Sequence, residues 1–265
     1  MIDEFLKDVR CFLLDLDGTL ILDNHLLSGA RELLSTIHRR GLRYCLITNN
    51  SSKSKRTYLE KLSQAGLEIT PDELITSGEI TGRYLSKHHP GAKLFILGTP
   101  DLVQELEGFG FISSDKNPDV LVLGFDTTLN YEKLTRFCNF LRNGTPFLAT
   151  HSDINCPTSN GFLPDIGAMM AMIQASTGRT PDVIMGKPFV PLVTFLSERT
   201  GFRPEQMCMI GDRLYTDMAM VEHGVHTMLV LTGETKQTDL PGSAQKPEKV
   251  VKDLWEVIKL IESNK

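Results

Sequence analysis

The 265-residue sequence predicts an α/β fold in which a doubly wound parallel sheet carries a smaller, inserted α/β domain. Three observations support this class. Short strand-like runs alternate with longer helical patterns, several of the runs are apolar at almost every position, and the alternation restarts near residue 80. Nearly continuous apolar runs indicate strands that helices cover on both faces, as in parallel sheets.

The first predicted strands and helices show this alternation. Strands are predicted at Cys11 to Leu14 and Arg43 to Thr48, and the helices that follow them at Gly29 to Arg39 and Lys53 to Gln64. Further strands are predicted at Leu94 to Leu97, Val120 to Leu123, Phe147 to Thr150, Val183 to Met185, Met207 to Ile210 and Thr227 to Leu231.

The restart of the pattern predicts two domains. The segment near residues 80 to 183 has its own strands, helices and turn signals, among them Gly98-Thr99-Pro100-Asp101 and Asn160-Gly161. We therefore predict a core of residues 1–80 and 184–265 that carries an inserted domain of residues 81–183.

Composition limits the partners. Lys and Arg number 28 against 33 Asp and Glu, a net charge of −5, which argues against binding to a nucleic-acid polymer. The longest apolar runs are far shorter than a bilayer span, so no membrane partner is expected. Five cysteines without Cys-x-x-Cys spacing fit a reducing, cytoplasmic location.

The first chemical motif is Asp15-Leu16-Asp17-Gly18-Thr19, at the end of an apolar strand. In open α/β sheets ligands bind beyond the carboxyl ends of the strands, so polar residues at this position are candidates for a site. One carboxylate can attack phosphorus while a second protonates the leaving oxygen and later activates water. Asp15 and Asp17 suit these two roles.

Three more motifs follow predicted strands. Thr48-Asn49-Asn50 offers hydroxyl and amide groups before a helix start, where anions bind. Lys187, in Gly186-Lys187-Pro188, could neutralise phosphoryl charge. Asp212 and Asp217, in a Gly-Asp motif, are oxygen ligands of the kind that suits Mg²⁺. Each motif alone could be a helix cap, a turn or a solvated lysine, but the four in this order indicate phosphoryl transfer.

These motifs resemble those of the haloacid dehalogenase (HAD) superfamily, and more narrowly its NagD-like, or p-nitrophenyl phosphatase, branch. The resemblance implies a Rossmann-like catalytic core with an α/β cap between the second and third motifs, and Mg²⁺ as the cofactor. It makes Asp15 the nucleophile, Asp17 the general acid and base, and Lys187 the charge neutraliser. The remaining implied roles are phosphate binding by Thr48, Asn49, Asn50 and Lys187, and metal binding by Asp15, Asp17 through its carbonyl, Asp212 and, more remotely, Asp217.

The expected activity is hydrolysis of small phosphomonoesters such as sugar phosphates, nucleotide monophosphates and p-nitrophenyl phosphate. Asp17 argues against the dehalogenases and phosphonatases of the superfamily, whose sites resemble this one less. Leu20 to Ser28 leaves little room for the helical cap that phosphomutases commonly carry there. A phosphotransferase or phosphomutase and a non-catalytic phosphometabolite-binding protein remain as alternatives.

Substrate selection is expected from the cap. His151, Asp153 and Asp165 are the predicted substrate contacts, with helix or turn capping as the alternative for the two aspartates and packing without ligand contact for His151. The expected partner is a small phosphate ester, and the cap is the surface through which a homo-oligomer would form.

Overall fold

A computed structural model describes residues 4–158 and 161–263. The chain divides into two compact units, one of residues 1–48, 59–75 and 192–265 and the other of residues 49–58 and 76–191. The predicted turn at Asn160-Gly161 and the ends of the predicted core lie partly outside the described residues. The domain boundaries drawn from the sequence stay a prediction.

The strands of the described residues are β1 Cys11–Asp15, β2 Ile21–Leu22, β3 His25–Leu26, β4 Arg43–Thr48, β5 Leu74–Thr76, β6 Lys93–Leu97, β7 Ile112–Ser113, β8 Val120–Leu123, β9 Phe147–Ala149, β10 Asn155–Thr158, β11 Gly161–Pro164, β12 Val183–Ile184, β13 Met207–Gly211, β14 His226–Val230 and β15 Lys249–Val251. The α-helices are α1 Ala30–Arg39, α2 Lys55–Gln64, α3 Ser77–His88, α4 Pro100–Gly108, α5 Tyr131–Arg142, α6 Ile166–Thr177, α7 Val190–Thr200 and α8 Leu254–Ser263. Short 3₁₀ helices lie at Glu4–Lys7, Pro204–Gln206, Met218–His223 and Gln237–Asp239.

The first unit is built on a six-stranded sheet with the order β15-β14-β13-β1-β4-β5. The pairs from β15 to β4 are parallel, and β1 is buried along its whole length. Leu14 pairs with Ile210 and Asp15 pairs with Ile47, so the carboxyl ends of β1, β4 and β13 lie level with one another. Residues that follow these strands are therefore brought to one edge of the sheet.

Helix α1 shows why a helix forms at this place in the sequence. Ala30, Leu33, Leu34 and Ile37 are buried and recur at the spacing of one helical face. Gly29 precedes the helix in a left-handed conformation, with φ of 91°, so the helix begins one residue after the predicted start. The short interval before α1 forms the antiparallel hairpin of β2 and β3.

The second unit contains a parallel five-stranded sheet with the order β12-β9-β8-β6-β7 and an antiparallel β10-β11 hairpin. Its apolar core includes Phe137 and Phe147, whose rings meet edge to face at 5.2 Å. The strand that precedes Lys187 is β12, which pairs with β9 and so belongs to this second sheet. The predicted α/β class is confirmed.

The described residues include all five cysteines, none of which forms a disulfide, and four of which are buried while Cys156 is partly exposed. Among the described residues, no helix combines the length and the apolar character needed to cross a bilayer. Assembly of a homo-oligomer through the cap stays a prediction.

Candidate active site

Three buried carboxylates meet at the carboxyl edge of the first sheet. Asp15 ends β1, Asp212 directly follows β13, and Asp217 lies in the turn before a 3₁₀ helix. Each side chain offers an oxygen, and these atoms all lie within 4.8 Å of one another. All three residues are more than nine-tenths buried. The fold therefore gathers three of the acids that the sequence singled out.

Backbone amides fix two of these carboxylates. Asp212 Oδ2 accepts a hydrogen bond of 2.6 Å from the Glu234 N–H, and Asp217 Oδ2 accepts one of 3.0 Å from the Arg213 N–H. Thr19 Oγ1 lies 3.5 Å from Asp15 Oδ2. Because charge-assisted bonds from backbone N–H groups are directional, the carboxylates of Asp212 and Asp217 are held in place before any ligand binds.

The electrostatics of the cluster favour a cation. Burial raises the pKa of Asp212 well above its usual range, and the neighbouring Asp15 and Asp217 raise it further, although the Arg213 charge and the Glu234 N–H act in the opposite direction. Asp212 Oδ1 is buried and has no hydrogen-bond partner among the described residues. Several carboxylate oxygens in one place are the donor set that Mg²⁺ and Ca²⁺ prefer, so these residues fit a divalent cation.

Glycines lie directly against two of the three carboxylates, those of Asp212 and Asp217. A Cβ on Gly18 or on Gly233 would collide with the Asp212 carboxylate, and a Cβ on Gly211 would collide with that of Asp217. Gly18 also has φ of +95°, a conformation that other residues rarely adopt. The backbone can approach the acids this closely only because these positions lack side chains.

Asp17 lies in a different environment from Asp15. Its side chain is 34% exposed, and Lys61 Nζ lies 3.6 Å from its Oδ1. The turn that carries it is closed by a 2.8 Å bond from the Gly18 N–H to the Ile21 carbonyl, while Thr232 donates to the Gly18 carbonyl at 2.7 Å. A carboxyl group that reaches solvent can exchange a proton, which the predicted acid and base role requires.

Thr48 is the last residue of β4 and is buried. Because Asp15 pairs with Ile47, Thr48 stands one residue beyond Asp15 on the neighbouring strand. Thr48 therefore lies at the carboxyl edge of the sheet, and phosphate binding by Thr48 stays a prediction.

Asn49 and Lys187 interact directly in the second unit. Asn49 Oδ1 accepts a bond of 2.8 Å from the Lys187 N–H, and Asn49 Nδ2 donates at 3.2 Å to the Lys187 carbonyl and at 2.8 Å to Asp153 Oδ1. Asn50 Oδ1 instead accepts two bonds from Ser52, one from its N–H and one from its hydroxyl. Both asparagine side chains are thus engaged by the protein, so phosphate binding by residues 49 and 50, which stays a prediction, is best suited to their backbone N–H groups.

His151 and Asp165 form a second buried pair. His151 is fully buried, its Nε2 lies 3.1 Å from Asp165 Oδ1, and its Nδ1 lies 3.1 Å from Thr150 Oγ1. Asp165 also accepts from the Ile166 N–H at 2.6 Å as the N-cap of α6. With Asp153 they offer ligand atoms within 4.8 Å of one another. The capping alternative thus fits Asp165, and substrate contact by the three residues stays a prediction.

Sequence reasoning missed several residues that shape these sites. Lys61 lies on α2, where a lysine usually faces solvent, and nothing in its sequence neighbourhood links it to Asp17. Glu234 contributes only its backbone N–H to Asp212, and such a contact is invisible in a sequence. Gly233, beside it, was the one available signal, because a glycine can mark a close approach of the backbone to another group.

Comparison with known proteins shows which family this chain resembles. Residues 12–112 match the model of haloacid dehalogenase-like hydrolases, and residues 184–257 match a second model described as HAD-hydrolase-like. An acid sugar phosphatase from Staphylococcus aureus (strain MRSA252) is 33% identical over 259 residues, which cover 97% of this chain and 100% of that protein.

Solved structures agree with this result. A 4-nitrophenylphosphatase from Thermotoga maritima has a TM-score of 0.93 at 44% identity, covering 97% of this chain and 98% of its own. A glycerol phosphate phosphatase from Mycobacterium tuberculosis, solved in complex with calcium, has a TM-score of 0.85 at 30% identity, covering 97% of this chain and 76% of its own. The chain therefore belongs to the haloacid dehalogenase-like hydrolases, as a phosphomonoesterase of their NagD-like, p-nitrophenyl phosphatase branch.

Proposed function

We propose that this protein is a Mg²⁺-dependent phosphatase that hydrolyses small phosphomonoesters through an aspartyl phosphate on Asp15. The observation that carries the proposal is the buried cluster of Asp15, Asp212 and Asp217, in which a potential nucleophile shares its surroundings with two further acids. Such a cluster is costly to bury unless a cation or a reaction uses it. Magnesium would be held by the carboxylates of Asp15 and Asp212 and by the Asp17 carbonyl, while Asp217 would orient the site.

The proposed reaction has two steps. A carboxylate oxygen of Asp15 attacks phosphorus, the bond from phosphorus to the ester oxygen breaks, and the Asp17 carboxyl group gives its proton to the leaving alcohol. Asp17 then takes a proton from water, whose oxygen attacks the aspartyl phosphate. The bond from phosphorus to Asp15 breaks, inorganic phosphate leaves, and both aspartates return to their starting forms.

Charge balance is the second requirement of this chemistry. Bound magnesium would supply electrophilic stabilisation of the phosphoryl oxygens. We assign the Lys187 ammonium to the same negative charge, and the Thr48 hydroxyl and the N–H groups of Asn49 and Asn50 to the phosphate. Lys187 is 2% exposed, and a buried lysine is retained in proteins chiefly when it meets negative charge.

For substrates, we propose sugar phosphates, nucleotide monophosphates and p-nitrophenyl phosphate. The names of two relatives, an acid sugar phosphatase and a 4-nitrophenylphosphatase, support the first and the last of these classes. His151, Asp153 and Asp165 are the proposed determinants of the leaving group. Replacing His151 by alanine should then change the ranking of substrates in a panel of phosphomonoesters, whereas a purely structural role would lower all rates together.

The nucleophile can be tested directly. With Mg²⁺ and p-nitrophenyl phosphate, acid-quenched wild-type enzyme should carry a phosphoryl group on the peptide that contains Asp15, as detected by mass spectrometry. Asp15→Asn should lose this adduct and reduce kcat at least about 10³-fold, because an uncharged amide is a much poorer nucleophile than a carboxylate. Asp23→Asn is the matched control, since Asp23 is exposed and its positive φ of 53° is one that asparagine tolerates.

Three outcomes would contradict the proposal. Full activity of Asp15→Asn would exclude the covalent route. Transfer of the phosphoryl group to an added alcohol or sugar, without release of inorganic phosphate, would indicate a phosphotransferase or phosphomutase. Tight binding of monophosphates without turnover of any compound in the panel would indicate a phosphometabolite-binding protein.

A further inference from the structure

We infer that Asn49 and Asp153 are positioning residues that hold the backbone of Lys187 and act on the reaction through that lysine. The inference rests on the proposed function, in which the Lys187 ammonium balances phosphoryl charge. It gives Asn49 and Asp153 a task other than contact with phosphate or with the leaving group.

One side chain engages both backbone polar groups of Lys187. Asn49 accepts from its N–H at 2.8 Å and donates to its carbonyl at 3.2 Å. An asparagine can do both only in one orientation of its amide, because the oxygen and the nitrogen exchange places when the group is flipped. The pair of bonds therefore depends on something that selects this orientation.

Asp153 selects it. Its Oδ1 lies 2.8 Å from Asn49 Nδ2, and a carboxylate oxygen accepts hydrogen bonds but cannot donate them. The flipped amide would place its oxygen against that carboxylate and against the Lys187 carbonyl, and both contacts would be repulsive. Asn49 and Asp153 are each 4% exposed, so water cannot easily replace a lost bond.

The surroundings leave little room for this arrangement to shift. A Cβ on Gly186 would collide with Asn49 Oδ1 and would lie 2.9 Å from the His151 Cβ, so the backbone before Lys187 rests directly on both side chains. The Asp153 carbonyl accepts a bond of 2.7 Å from the Gly167 N–H in the first turn of α6. The Asn49 carbonyl accepts one of 2.6 Å from Ser77 Oγ.

A fixed backbone matters for a lysine because four flexible carbons separate its ammonium from its Cα. If the backbone moves, the ammonium loses its position, and misplacement of a catalytic group by about 1 Å can cost about 100-fold in rate. Removal of Asn49 or Asp153 should therefore act mainly on kcat, and only while the lysine is present.

A double-mutant cycle with p-nitrophenyl phosphate tests this dependence. We expect Asn49→Ala and Asp153→Ala to lower kcat by about 10- to 100-fold in the wild-type background and by less than about twofold in Lys187→Ala. Asp153→Asn keeps an oxygen acceptor for Asn49 and should recover most of the kcat that Asp153→Ala loses. Asn130→Ala is the control, because it removes the exposed N-cap of α5 and costs stability without touching the site.

Amide hydrogen exchange provides a readout that does not need activity. The Lys187 N–H should exchange at least about tenfold faster in Asn49→Ala and Asp153→Ala than in wild type, but not in Asp153→Asn or Asn130→Ala. Equal losses of kcat in the wild-type and Lys187→Ala backgrounds would overturn the inference, as would unchanged exchange at Lys187. Full activity of Lys187→Ala would instead refute the role of the lysine in the proposed function itself.

Discussion

Replacement of Asp212 by asparagine should make the metal-free protein more stable while abolishing its response to magnesium. The reason is the repulsion among Asp15, Asp212 and Asp217, which a divalent cation would relieve and which burial makes costly. An asparagine retains an oxygen that can accept the Glu234 N–H at the position of Asp212 Oδ2. The substitution therefore removes charge while keeping the local hydrogen bond.

The distance between the carboxylate oxygens sets the size of the expected gain in stability. Two unit charges 4.8 Å apart, the largest separation of the ligand oxygens, repel by about 3.5 kcal/mol at an effective dielectric constant of about 20. Partial protonation already relieves some of this repulsion in the wild type, so we expect a gain of about 1–3 kcal/mol for metal-free Asp212→Asn. At about 2–4 °C per kcal/mol, the unfolding midpoint should rise by several degrees.

The raised pKa of Asp212 determines whether the stability of the wild-type protein rises or falls with pH. Below the ordinary aspartate pKa of about 3.9 the group is protonated in both the folded and the unfolded chain, and its burial carries no charge penalty. As the pH rises above that value, the unfolded chain loses the proton more readily than the folded one, and wild-type stability falls. The advantage of the variant should therefore grow from acidic to neutral pH.

Thermal unfolding in EDTA and in magnesium, between pH 5 and pH 8, measures both effects. Magnesium at about 100 times its dissociation constant should stabilise the wild type by about 2.7 kcal/mol and should barely affect Asp212→Asn. Asp72→Asn is the control, because its side chain is 93% exposed and does not belong to the buried cluster of acids. A metal-free variant less stable than wild type, or equal magnesium shifts in both proteins, would refute the reasoning.

Two further predictions concern other groups. Gly233→Ala should weaken magnesium activation at least about tenfold, because the added Cβ would displace the Asp212 carboxylate. Gly242→Ala is the control and should not change the activation, because no atom lies within 4 Å of its Cβ. Equal activation curves for the two variants in magnesium titrations would contradict this prediction. Burial raises the pKa of Glu105 to about 7, so wild-type stability should fall by up to about 3 kcal/mol between pH 4.5 and pH 8, and Glu105→Gln should flatten that profile in urea unfolding. A profile as steep in the variant as in wild type would exclude Glu105 as its source.

The shared location of Asp15, Thr48 and Asp212 could be predicted from the sequence by a simple rule. Asp15, Thr48 and Asp212 each follow or end an apolar run, and parallel strands deliver their carboxyl ends to one edge of a sheet. The sequence could not show which neighbours hold these side chains. Lys61 reaches Asp17 only through tertiary packing, and the Glu234 N–H carries no side-chain signal.

The start of helix α2 shows what the sequence could not predict about local structure. The sequence pattern predicts a start at Lys53, but the helix begins at Lys55, after Ser54, whose hydroxyl accepts from the Thr57 N–H at 3.3 Å. Asp101, which is distant in sequence, also accepts from the Ser54 N–H at 3.2 Å and from Thr57 Oγ1 at 2.8 Å. A cap that includes a distant carboxylate cannot be inferred from the residues around the helix start alone.

The distribution of the cysteines makes the natural chain convenient for spectroscopy. Four thiols are buried, and burial raises the pKa of the Cys208 thiol, which keeps it protonated and unreactive. Cys156 is the exception, and its sulfur lies 3.9 Å from Asn50 Nδ2, in the segment that follows Thr48. A fluorophore or spin label attached there would report on that segment without any engineered cysteine and without removal of a native one.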